Sequence, residues 1–152
     1  MTDYMSALRN YLLGQAAVTA LCGLAIYVLA LPQEELDMAD PLTGLPIGAH
    51  KVIVLLASGG QLGKMRNLIT EARVDVVCFG ETDFDAATLE RAAADAIKNL
   101  RRAMVGTVFL HGATVASGPL QTRDPVTFWP CMRRQIILRA DEREVGSYYA
   151  TV

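Results

Sequence analysis

The residues best placed to do chemistry stand between positions 52 and 67, "VIVLLASGGQLGKMRN". An apolar run followed by Gly59, Gly60, Gly63 and Lys64 has the outline of a loop that wraps a phosphate in backbone amides. That chemistry requires G-x-x-x-x-G-K-[ST] at the opening of a long helix. Counting back from Gly63-Lys64, Ser58 stands where the first glycine belongs, and Met65 replaces the hydroxyl that would hold magnesium. The next strand-like run follows too soon for a long helix to intervene. The spacing predicts a β-to-β connection that begins at Gly59-Gly60 with positive φ, and no nucleotide site. On this reading Lys64 is an ordinary surface residue.

Other reactive side chains are dispersed. His50 borders one strand-like run and His111 lies inside another, each apart from any nucleophile in sequence. Ser117-Gly118 lacks the G-x-S-x-G elbow. Glu34, Glu35, Asp37 and Asp40 share one connection, but without the alternating spacing of a calcium loop, and they read as a solvated acidic loop. Cys22, Cys78 and Cys131 are far apart among apolar neighbours, which predicts small buried hydrophobes rather than zinc ligands. The pattern predicts no catalytic residue, no metal and no cofactor, so the chain is read as a non-enzyme. A formal net charge of −2 gives no basic excess for general nucleic-acid binding.

The elements follow from periodicity. Residues 2–13 and 16–22 read as two helices, the second closed by Gly23, and 25–31 as a strand stopped by Pro32. Residues 10–33 carry no charge and are long enough to span a membrane. Gly14, Gly23 and Pro32 punctuate them, and no basic cluster flanks them, so helix, turn and strand in a water-soluble domain is the expectation. Strands are expected at 51–57, 72–79, 107–115 and 132–140. In the last, Met132, Ile136, Leu138 and Ala140 face one way, and Arg133, Gln135 and Arg139 the other. A long amphipathic helix is expected over 83–103. Leu89, Ala93, Ile97 and Leu100 form its inner stripe, Arg91 and Asp95 an i,i+4 pair, and Glu90 lies on its outer face. With 152 residues, 52% of them hydrophobic, the chain can build one core. The element order predicts a single α+β domain: a largely antiparallel or mixed sheet with helices packed on one face. The domain is placed at residues 1–143, followed by an extended C-terminal arm at 144–152.

Four segments resemble the tail completion, or tail terminator, proteins of long-tailed, siphovirus-like bacteriophages. "MSALRNYLLGQAAVTALCG" is similar to the family's helix, short helix and glycine opening, and "AIYVLALPQE" to its first strand. "RVDVVCFGETDFDAATLERAAADAIKNL" resembles its strand, R-V-x-x-x-C-[FW]-G, acidic turn and alanine-rich helix. "RDPVTFWPCMRRQIILRA" resembles the closing strand behind a D-P-x-T loop. The connections at 33–49 and 59–71 are longer than is usual in that family.

The resemblance implies a virion structural protein at the head-tail interface, or neck, assembled in the host cytoplasm. Such proteins form a ring, commonly a hexamer, that caps the tail tube, stops its polymerisation and joins the tail to the head connector. Implied partners are other copies of the chain, the tail tube protein and the connector or stopper protein. DNA passes through the lumen without specific binding, and no membrane is involved. The alternatives are another connector, adaptor or stopper ring, or a small membrane-anchored protein. A head-to-tail ring needs two different patches per subunit. Phe128, Trp129, Tyr148 and Tyr149 are the candidate interface residues, because aromatics anchor interfaces. Phe128 and Trp129 have a second reading, as caps on the core.

Overall fold

The computed structural model describes residues 4–30, 32, 42, 51–61, 70–124 and 129–142. Three helices and seven strands occur among them: α1 (Tyr4–Leu13), α2 (Ala16–Cys22), β1 (Ile26–Val28), β2 (Val52–Gln61), β3 (Thr70–Phe79), α3 (Asp83–Lys98), β4 (Arg101–Val105), β5 (Val108–Val115), β6 (Leu120–Arg123) and β7 (Pro130–Glu142). The strands form one mixed sheet in the order β1-β2-β3-β7-β5-β4, with β6 paired to β7 beside β5. Only β1 with β2 is parallel; every other pairing is antiparallel. The helices pack on one face, so the domain is α+β.

The charge-free stretch folds as helix, helix and a short strand. Gly23, at φ 59°, closes α2 by donating its N–H to the Thr19 carbonyl at 2.8 Å. Arg9 Nε donates to the Ile26 carbonyl at 2.6 Å and ties α1 to β1. The Tyr11 hydroxyl donates to the Ala96 carbonyl at 2.8 Å and ties α1 to α3. No helix among the described residues is long and apolar enough to cross a membrane.

Alternation divides the sheet between two cores. Ile53, Leu55, Val74, Val76, Cys78, Leu110, Ile136 and Leu138 face the helices and meet Leu8, Leu12, Leu89, Ala93 and Ile97. The opposite face carries a smaller cluster of Val52, Val54, Val77, Phe79, Trp129 and Cys131. Sequence parity predicted the β3 and β7 members of the first set, Val74, Val76, Cys78, Ile136 and Leu138. On β3 the second set was missed, because Arg73 and Asp75 suggested a solvated face that Val77 and Phe79 do not continue.

Three boundaries correct the sequence reading. Gly59 and Gly60 do not begin a turn. They lie within β2, where the pairing with β3 shifts register between Ala57 and Gly60. The helix predicted to 103 ends at Lys98, and residues 101–105 form β4 instead. Asn99 caps the helix, and the Arg101 guanidinium donates to the Lys98 and Leu100 carbonyls at 2.6 and 2.8 Å. Arg101 thus neutralises the helix's negative end from the following strand, which explains why its charge read as helical. Finally, residues 120–123, outside every strand expected from the sequence, form β6.

The join between β3 and α3 depends on Gly80. A Cβ there would lie 2.7 Å from the Ala86 nitrogen and 2.8 Å from the Asp85 Cβ, so only glycine lets the first helical turn sit so close to the strand end. Thr82 then caps the helix, its hydroxyl accepting from the Asp85 N–H at 3.2 Å.

Candidate interaction surfaces

The open face of the sheet, away from the helices, is built from odd-numbered β7 residues and their neighbours. Arg133 Nε lies 3.0 Å from Asp75 Oδ2, and Arg139 Nε lies 3.2 Å from Glu71 Oε1. Arg139 also donates to the Thr114 hydroxyl at 3.4 Å, and Gln135 to the Ser58 hydroxyl at 3.2 Å. His111 meets Asp141 at 2.8 Å, with its ring edge-on to Phe109 at 4.7 Å between centroids. A histidine held by a carboxylate is half of a base-activated nucleophile arrangement. The thiols, however, belong to the two cores. Burial pushes Cys22 and Cys131 up to about 11 and Cys78 well above its ordinary value. They are packing groups at neutral pH, not thiolates. Among the described residues no group of three or more His, Cys, Asp or Glu side chains is placed to hold a metal.

The two flanks of α3 differ. On one side α3 and α2 enclose a groove of ≈ 490 Å³ with Ala17, Leu21, Ala87, Ala92 and Ala96 along it and Phe84 at one end. Phe84 is 78% exposed, on the helix side shared with Arg91 and Asp95. Gln15, Thr88, Arg91, Asp95 and Asn99 supply polar groups along the same groove. Arg91 and Asp95, expected as an i,i+4 pair, form no ion pair with each other, so both keep their charge available to solvent.

On the other flank lies a smaller polar pocket of ≈ 390 Å³, lined by Glu90, Lys98, Pro119, Met132 and Arg134. Glu90 does not lie on the outer face as expected. It is buried against the sheet and forms an ion pair with Arg134 of β7, with side-chain exposures of 5% and 14%. The signal was present in the spacing. Positions 86, 90, 93 and 97 are four and three apart, so Glu90 belongs to the inner stripe. Arg134 shares the parity of Ile136 and Leu138, which turns it toward the helix.

The aromatic interface candidates separate. Trp129 is 1% exposed and packs edge-on against Phe79, 6.0 Å between ring centroids, which is the core-capping arrangement. Phe128, Tyr148 and Tyr149 lie outside the described residues, as do His50, Lys64 and the acidic connection at 33–40.

No protein-family model matches the chain, and no curated protein matches it. Its fold is similar to that of a chain in a solved structure described as the virion of a native gene transfer agent (GTA) particle. The TM-score is 0.56 and the identity 15%, over 90% of this chain and 93% of the other. At that identity the likeness is one of fold, and it extends over nearly the whole of both chains.

Proposed function

We propose that this chain is a structural protein of a phage-like virion, a tail terminator that forms a ring, hexameric by resemblance, on the end of the tail tube. The observation that carries the reading is the fold likeness, over 90% of this chain, to a chain of a gene transfer agent virion. The resemblance of the β3–α3 block to tail terminators adds to it independently. That block's glycine has a concrete physical role here, the close passage of Gly80 beneath the first turn of α3.

The mechanism is surface complementarity rather than bond chemistry. A ring closes when one patch of a subunit fits a different patch of the next, and the ring then covers the growing end of the tube. The opposite face of the ring receives the head connector. DNA crosses the lumen without being held. The paired arginines of the open sheet face suit that passage, since Arg133 and Arg139 are already neutralised by Asp75 and Glu71 and release little salt on meeting phosphate.

The test is genetic and visual. Particles made without this protein should show tails of uncontrolled length and no joined heads in electron micrographs, and supplying the protein should restore both. Tails of normal length that stay unjoined would instead indicate a connector or stopper ring. Normal, joined particles in its absence would reject a neck role.

A further inference from the structure

The shape of the α2–α3 groove and the residues beyond β7 fit one another, and we propose that the groove receives the Tyr148-Tyr149 segment of a neighbouring copy. The inference rests on the ring reading and supplies one of its two unlike patches. Ala17, Ala87, Ala92 and Ala96 leave room for rings between the helices, Phe84 gives an aromatic wall, and Gln15, Thr88, Arg91, Asp95 and Asn99 offer partners to tyrosine hydroxyls. Tyrosine suits such a place because its ring seeks burial while its hydroxyl needs a polar neighbour. The free Arg91 guanidinium can also lie over a ring face.

The topology brings the segment to the right end of the molecule. Arg101 pairs with Gly112, and Gly112 with Arg139, so the C-terminal end of α3 lies level with the upper part of β7. Glu142, the last described residue, pairs with Val108 a little further along. The Asn99 end of the groove therefore opens toward the end from which residues 143–152 depart. Ten extended residues reach about 33 Å. A domain of this length has a radius of gyration of about 15 Å, so the segment can cross to an adjacent subunit. Val145, Tyr148, Tyr149, Thr151 and Val152 favour extended backbone, which suits a reach to an adjacent subunit.

Strand addition at a neighbour's sheet edge is the competing arrangement, and the edges resist it. β1 is three residues long and stops at Leu29, whose φ is 75°, and β2, which continues the same edge past Leu55, is interrupted by the register shift between Ala57 and Gly60. β4 is five residues long and is bent at Arg102, whose φ is 40°. β6 offers four residues. Short or bent edges are how sheets discourage added strands.

Engineered disulfides in the full-length protein test the proposal, because Cys22, Cys78 and Cys131 are buried and leave a clean background. Protein carrying Ala92→Cys is mixed with protein carrying Tyr149→Cys under assembly conditions, and Met104→Cys, on the exposed β4 edge, replaces Ala92→Cys in a parallel mixture. The expected result is a cross-link between copies that forms at least about tenfold faster from the groove than from the edge, as a held segment outpaces a diffusing one. Arg91→Cys on the groove rim should behave like Ala92→Cys and serves if the latter folds poorly. Faster linkage to position 104 would move the segment to the sheet edge and overturn the proposal. So would preferential closure within one doubly substituted chain, or no linkage at all. Electron micrographs of the same samples separate the two levels. Rings without groove linkage sink the docking alone, and absence of rings sinks the ring reading with it.

Discussion

Glu90 and Arg134 form an ion pair that is costly to break, because both side chains are largely buried and each holds the other. Removing one partner strands the other in an apolar setting. Glu90→Ala is expected to destabilise the fold by about 3–5 kcal/mol, the usual cost of breaking a buried pair. Glu90→Leu combined with Arg134→Met should recover most of that loss, since neither charge is then left alone. Urea unfolding of the two single variants and the double variant measures the coupling. Additive losses would mean that the pair is not coupled. The surface pairs Arg133–Asp75 and Arg139–Glu71 are different. Their arginines are 43% and 45% exposed, so their loss should cost no more than about 1 kcal/mol each.

The thiols give a pH dependence of definite sign. Burial raises Cys22 and Cys131 from 9.0 to about 11 in the folded chain, and Cys78 rises as well, first by burial and then by the nearby Glu90 carboxylate. The folded state therefore holds these protons more tightly than the unfolded state. Their contribution to stability is complete below pH 9 and is lost as the pH rises through about 11. Thermal melts between pH 8 and pH 11, with Cys22→Ala and Cys131→Ala variants flattening the decline, check the direction. A thiol reagent at pH 8 should label the native protein slowly and the urea-unfolded protein fully.

At the scale of elements, α3 sets the fold's orientation by presenting one face to the sheet and the other to the two flanking grooves. Leu89, Ala93, Ile97 and Leu100 are at most 1% exposed. Ile97→Asp would place an unpaired carboxylate among them and should prevent stable folding, whereas Asp95→Ala, on the exposed side, should change stability by less than about 0.5 kcal/mol. Thr82→Ala removes the cap on the Asp85 N–H and should cost about 1 kcal/mol. Circular-dichroism melts of the three variants rank them. Equal losses at positions 95 and 97 would mean that the helix is turned differently. The same helix shows how an element boundary is decided by tertiary contacts. Residues 99–103 have helical composition, but Arg101, Ala103, Met104 and Val105 pair with β5, because the chain must return to cover the sheet edge beside β7.

For the whole molecule, the proposed ring places function in what the chain touches. The described surface offers a groove, a charge-balanced sheet face and short sheet edges. Deleting residues 145–152 should leave the melting temperature of the isolated domain nearly unchanged, because the described residues at positions 5–140 already build two packed cores. The same deletion should weaken ring or tube contacts. Size measurement and micrographs of complemented particles read the second effect. A large drop in melting temperature would place the segment in the domain's own core, and normal assembly by the truncated chain would remove it from the interface.

Local periodicity alone determined much of this architecture. The two N-terminal helices and the Gly23 stop were legible because helix and turn formation are short-range. The inward faces of β3 and β7 and the Leu89–Ala93–Ile97–Leu100 stripe were legible because burial imposes a two-residue or 3.6-residue repeat on any chain. Tertiary structure decided the rest. Glu90 reads as a surface acid until Arg134, 44 residues away, is brought beneath it. Trp129 reads equally as an anchor or a core ring until Phe79 is placed against it. The α2–α3 groove exists only because two helices separated by three strands pack side by side and leave their alanines facing a gap. Charge pairing and concavity depend on which distant segments meet, and that is set by the energy of the whole packed core rather than by the preference of any one stretch of sequence.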